Sequence, residues 1–170
     1  ISLNPTLGNR IIANQIMLTD KINKKPEPKL YSSWPFEEKL QEHKKHCGSM
    51  QSTEGCKSKT LDQYVSDNKI INLKLIKIDV DGFEIEVLLG AKNILKENKP
   101  MLLIELAPYT FEERGESFSK LINLLYNEGY DLFDIKNQKK LPNSIDNLMN
   151  MIPEGGSINV IGKSFRDGLT

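Results

Sequence analysis

Four acidic side chains, Asp79, Asp81, Glu84 and Glu105, are the residues whose types and spacing promise chemistry in this chain of 170 residues. Asp79 and Asp81 end the apolar run "LKLIKIDV" at 73 to 80, and Glu105 stands near the end of a second run, "MLLIEL", at 101 to 106. If the two runs are neighbouring strands, their carboxylates gather at one sheet edge, where they can accept a hydroxyl proton or attract a cation. An unpaired carboxylate inside an apolar strand costs several kcal/mol when buried, on the order of the penalty for any isolated buried charge, so Asp79 is expected to meet a ligand at a cleft floor. Asp81 and Glu84 admit a second reading. The stretch Asp81-Gly82-Phe83-Glu84 has the form of a capping box, with one acid accepting from the first helical amides and the other reaching back.

A second constellation, "HKKHCGSMQSTEGC", holds His43, His46, Cys47 and Cys56. The number of ligands suits tetrahedral zinc, but adjacent His46 and Cys47 cannot easily reach one ion and no pair of cysteines has the usual two-residue gap. No metal is expected, and the thiols are read as reduced, solvated loop residues. His46 remains a candidate base because imidazole titrates near neutral pH. Trp34, with Tyr31 and Phe36, forms either an apolar cluster beneath a loop or a stacking surface for a sugar ring.

The elements that must position these groups follow from periodicity. Thr60 offers a helix cap with Leu61, Tyr64 and Val65 on one face, and this short helix leads into a strand at 73 to 80. Then come a helix over 83 to 97, a strand at 101 to 106, a helix over 116 to 128 and strands at 130 to 135 and 158 to 163. Strands alternating with helices predict right-handed crossovers and a mostly parallel sheet covered on both faces, with the two apolar runs as central strands. Upstream, "RIIANQIML" at 10 to 18 has strand character, and residues 22 to 58 are polar and proline-rich enough to be a lid or insertion, with a short helix over "FEEKLQEHKKH".

Composition limits the partners. Lysine plus arginine balances aspartate plus glutamate at 23 each, so there is no bulk positive field for nucleic acid or an anionic membrane. No apolar run approaches the roughly 20 residues of a membrane span, and the chain is expected to be soluble and cytoplasmic.

The stretch "LIKIDVDGFEIEVLLGAKNILKENKPMLLIEL", preceded by "KTLDQYV", resembles the signature of the FkbM-type methyltransferases. The likeness is close over 59 to 106; "ANQIMLTDK" at 13 to 21 and "GSMQS" at 48 to 52 resemble further family segments, while Asp81 replaces the family's usual glutamate. The resemblance implies a class I, Rossmann-like methyltransferase fold with an antiparallel last strand, S-adenosylmethionine as cofactor, and a saccharide or other small-molecule hydroxyl as acceptor. By the same resemblance Asp79 would face the cofactor's methionine end and the transferred methyl, and Met17 and Leu18 would lie near the adenine. Asp81, Glu84 and Glu105 would line the acceptor side.

The family's glycine-rich loop has no counterpart here, so residues 1 to 170 are expected to form a single partial domain, the C-terminal part of the whole. Two outcomes stay open: a methyltransferase or a piece of one, and a catalytically inactive binding or assembly module. An open edge on the strand at 73 to 80 would favour a homo-oligomer.

Overall fold

A computed structural model of the chain describes residues 5–8, 10–32 and 49–164. The N-terminal part contains a single helical turn, α1 (Pro5–Gly8), and four short strands: β1 (Ile16–Leu18), β2 (Lys29–Ser32), β3 (Ser49–Ser52) and β4 (Lys57–Lys59). β1 and β4 pair in parallel, and β2 and β3 form an antiparallel ladder. The expected strand at 10 to 18 is therefore confined to its last three residues, with Ile11 and Ile12 exposed. The stretch read as a lid or insertion, 22 to 58, contains the β2-β3 pair and the start of β4; the expected helix within it lies outside the described residues.

The remainder builds the core from α2 (Leu61–Asp67), β5 (Leu75–Ile78), α3 (Glu84–Leu89), α4 (Lys92–Glu97), β6 (Met101–Leu106), α5 (Pro108–Glu113), α6 (Phe118–Asn127), β7 (Tyr130–Asp134), α7 (Ile145–Asn150) and β8 (Ile158–Ser164). Four of these strands form one mixed sheet in the order β5-β6-β8-β7. β5 and β6 are parallel, whereas β8 runs antiparallel to both of its neighbours, as expected for the last strand.

Period-two alternation decides which side chains are buried. Leu102, Ile104 and Leu106 of β6 are fully buried, together with Ile78, Leu132 and Val160 from the other strands. They join α3 and α6, whose Ile85, Leu88, Leu121, Ile122 and Leu125 recur at helical spacing, in one cluster. The segment through α7 adds Leu141, Leu148 and Ile152. Burying a leucine or isoleucine of this kind contributes about 1.5–3 kcal/mol, so this layer dominates stability.

Two expectations fail on the opposite side of the sheet. Leu75 and Met101, cross-strand partners, are 53% and 42% exposed. The sheet is thus covered on one face rather than two among the described residues, and its strands alternate instead of being apolar throughout. β5 is an edge strand there, not a central one, because no described strand pairs with its other side.

The expected helix over 83 to 97 is divided at Gly90-Ala91 into α3 and α4. The backbone comes close to another element at this break: a Cβ on Gly90 would lie 2.2 Å from the Thr19 carbonyl oxygen, just past β1, so glycine is required there. The carboxylate of Asp62 then accepts from the amides of Asn93 and Ile94, each at 3.0 Å, and so caps α4 from a distant part of the chain. Thr60 caps α2 as expected, accepting from the Gln63 amide at 3.1 Å.

Candidate functional site

A cavity of about 340 Å³ opens where β1 and the ends of the β2-β3 ladder meet the turn that follows β5. Its walls are apolar, with Met17 and Leu18 from β1, Leu30 from β2, and Val80, Phe83 and Val87 from the β5-α3 passage. Asp81 is the carboxylate among its lining residues, and Thr53 and Cys56 add a hydroxyl and a thiol. Apolar walls with a few polar groups suit a small molecule.

The turn is built by left-handed backbone. Asp81 has φ +47° and Gly82 φ +93°. Aspartate tolerates this region better than most residues, and glycine occupies it freely. Gly82 is required for a second reason, since a Cβ there would lie 3.1 Å from the Thr110 carbonyl oxygen and 2.9 Å from Arg114 Cδ.

Glu84 is only 3% exposed, and its Oε1 accepts from the amides of Val80 at 3.3 Å and Gly82 at 3.4 Å. Glu84 thus reaches back along the chain, but to the amides on either side of Asp81 and not to that of the expected cap residue. The cap position of α3, however, is Phe83, which supplies no side-chain acceptor. Burial pushes the Glu84 carboxyl above its ordinary value, the amide bonds oppose that shift, and Asp81 adds to it. Glu84 is not among the cavity's lining residues, and its Oε1 bonds to backbone amides of the turn.

Asp79 also differs from expectation. Its side chain is 43% exposed and pairs with Lys77 at 2.6 Å, instead of forming a buried cleft floor. The strand ends at Ile78, and the half-exposed Asp79 carboxylate keeps contact with water beside its lysine partner. Lys77 is held above its ordinary pKa by the hydrogen bond it donates to Asp79 and by the Asp79 charge, with Glu105 contributing.

Glu105 is half-buried and accepts a hydrogen bond from the Ser157 hydroxyl. Because β5 and β6 are parallel neighbours with Ile78 opposite Ile104, Asp79 and Glu105 do end side by side. Tyr109, at the start of α5, faces the same acids. Burial raises its phenol pKa first, and Glu105, Asp81, Glu113 and Glu84 raise it further.

Met17 and Leu18 both line the cavity, and Asp81 joins them there. His46 and Trp34, along with His43, Cys47 and Phe36, lie outside the described residues. Cys56, read as a solvated loop thiol, is half-buried and turns toward the cavity instead. Among the described residues, no group of three or more potential ligands is placed to hold a metal ion.

The sequence reading missed Phe83, Val87, Leu30 and Tyr109. Phe83 had a signal, a large apolar residue directly after the turn glycine. Leu30 had none, as its place depends on the pairing of β2 with β3.

The profile of a family described as Methyltransferase FkbM domain matches residues 27–132, from just before β2 into β7. No curated protein and no solved structure matches the chain.

Proposed function

Since the chain belongs to the FkbM methyltransferase family, we propose that its cavity receives S-adenosylmethionine and that the protein methylates a hydroxyl of a saccharide or other small metabolite. The same proposal takes the mixed sheet as part of a class I, Rossmann-like domain. The observation that carries this reading is the cavity itself, which collects Met17, Leu18 and Asp81 on walls otherwise made by Val80, Phe83 and Val87.

The donor set fits parts of the cofactor. Met17, Leu18 and Phe83 offer apolar contact to a flat purine, gained by removing both surfaces from water. Asp81 offers a negative charge to a cationic sulfur, an attraction strengthened where the walls exclude water. Bound there, the cofactor would supply an electrophilic methyl group. The chain's own task is then to hold an acceptor hydroxyl in line and take its proton, and Asp81, Glu105 and Asp79 are the carboxylates at that edge.

Calorimetric titration with S-adenosylmethionine and S-adenosylhomocysteine tests the proposal. The Leu18→Arg variant, which fills the cavity with a cation, is expected to abolish binding of both. Asp81→Asn keeps a residue tolerant of positive φ, and should weaken S-adenosylmethionine more than S-adenosylhomocysteine because only the former carries a charged sulfur. Asp79→Asn should change either affinity less, since Asp79 pairs with Lys77 away from the cavity. Absence of binding to the unsubstituted chain at millimolar ligand would sink the proposal and favour an inactive module.

A further inference from the structure

Two of the cavity's lining residues, Asp81 and Phe83, flank a single glycine in a left-handed turn. Such a turn needs surroundings that over-determine it, because a non-glycine residue at φ +47° relaxes when its neighbours permit. The surroundings are supplied from outside the cavity by α5 and the residue that follows it.

Arg114, just past α5, makes three contacts with the turn and the helix it begins. Its guanidinium lies 3.3 Å from the centroid of the Phe83 ring. Its Nη2 donates to Glu86 Oε1 at 2.9 Å, and Glu86 stands one helical turn beyond Phe83. Its Cδ occupies the space that a Cβ on Gly82 would need, beside the carbonyl of Thr110. Thr110 is itself buried and anchored by its hydroxyl to the Ala107 carbonyl at 2.8 Å, so α5 presents a fixed surface to the glycine.

We propose that Arg114 is a positioning residue for this site: it stacks on Phe83, is tethered by Glu86, and thereby fixes where Asp81 and Phe83 present themselves to the cavity without lining it. The planar guanidinium is needed for this, since it can stack on a ring and form an ion pair at once. A lysine at the same place would keep the charge but lose the flat contact. Arg114 acts through the other two residues and touches no ligand.

The importance of this contact to function rests on the cavity being the cofactor site, so the test has two arms. In the ligand-free protein, amide resonances of Asp81, Gly82 and Phe83 are followed in Arg114→Met, which preserves the apolar stem. They are expected to shift or broaden while those of β8 and α6 stay in place. In the second arm, S-adenosylhomocysteine affinity is expected to fall tenfold or more in Arg114→Met and to be partly rescued in Arg114→Lys.

Turn resonances and affinity both unchanged in Arg114→Met would overturn the proposal, as would equal disturbance of β8 and the turn. If Arg114→Met does not fold, Glu86→Gln loosens the tether alone and should show the same resonances moving with a smaller loss of affinity. Should the unsubstituted chain bind no S-adenosylhomocysteine, the reading of the cavity fails, and the ligand-free arm still decides whether Arg114 holds the turn.

Discussion

The two faces of the four-stranded sheet use the same strands to opposite ends. On one face, Leu102, Ile104 and Val160 are wholly buried under α3 and α6. On the other, Leu75 is 53% and Met101 42% exposed, with Lys77, Asp79 and Glu105 among them. The first face is where burial stabilises the chain; the second keeps its polar and ionisable groups in contact with water, where they cost little to hold. The lesson is that a strand's apolar content alone does not say whether it is covered twice.

The comparison is broken most directly by removing side chains from each face. Leu102→Ala should cost about 3 kcal/mol, within the usual range for a buried leucine, as measured by denaturant unfolding. A loss below about 1 kcal/mol would show that this face is not the principal core. At the join between the helical layer and β1, Gly90→Ala should cost about 2 kcal/mol, because the added methyl meets the Thr19 carbonyl at 2.2 Å. Unchanged stability there would mean that β1 is not seated against α3.

A smaller effect is expected from pH. Burial raises the Glu84 carboxyl's pKa in the folded chain above its unfolded value, so the folded state binds that proton more tightly. The resulting contribution is complete below the ordinary value of 4.5 and is lost as pH rises through the raised one. Glu84→Gln should therefore flatten this part of the stability profile, and a profile identical to that of the unsubstituted chain would refute the assignment.

The uncovered face supplies the last two tests. We propose that copies of the chain associate through it, since it carries apolar side chains and both signs of charge beside the edge of β5 that no described strand pairs. Sedimentation should show concentration-dependent association that Leu75→Glu with Met101→Glu removes; a monomer at all concentrations would rule this out. Leu75→Ala, by contrast, should change the stability of the folded chain by no more than about 0.5 kcal/mol.

Much of the fold was legible because it depends on near neighbours in sequence. The cap at Thr60, the spacing of Phe118, Leu121, Ile122 and Leu125 and the apolar run at 101 to 106 each carry their own signal. The site was legible in part: Met17, Leu18 and Asp81 reach the cavity, while Asp79 and Glu84 do not. Asp79 was expected to be buried on the strength of its apolar neighbours, but its strand has an open face. Glu84 carried a local signal of its own, the capping box; it does reach back to preceding amides, but to those of Val80 and Gly82 and not to the cap residue of α3.

By itself the sequence determined the order and type of α2, β5, β6, α6, β7 and β8 and the family signature, because periodicity is a property of short stretches; it carried no reading of α5 or α7 and joined α3 to α4. Tertiary structure alone decided that Leu75 and Met101 stay exposed on one sheet face among the described residues, that α3 stops where Thr19 approaches Gly90, that Asp62 caps α4, and that Arg114 backs Phe83. Each of these is a contact between residues far apart in the chain. No local pattern encodes such a contact, since its energy depends on which surfaces the fold brings together.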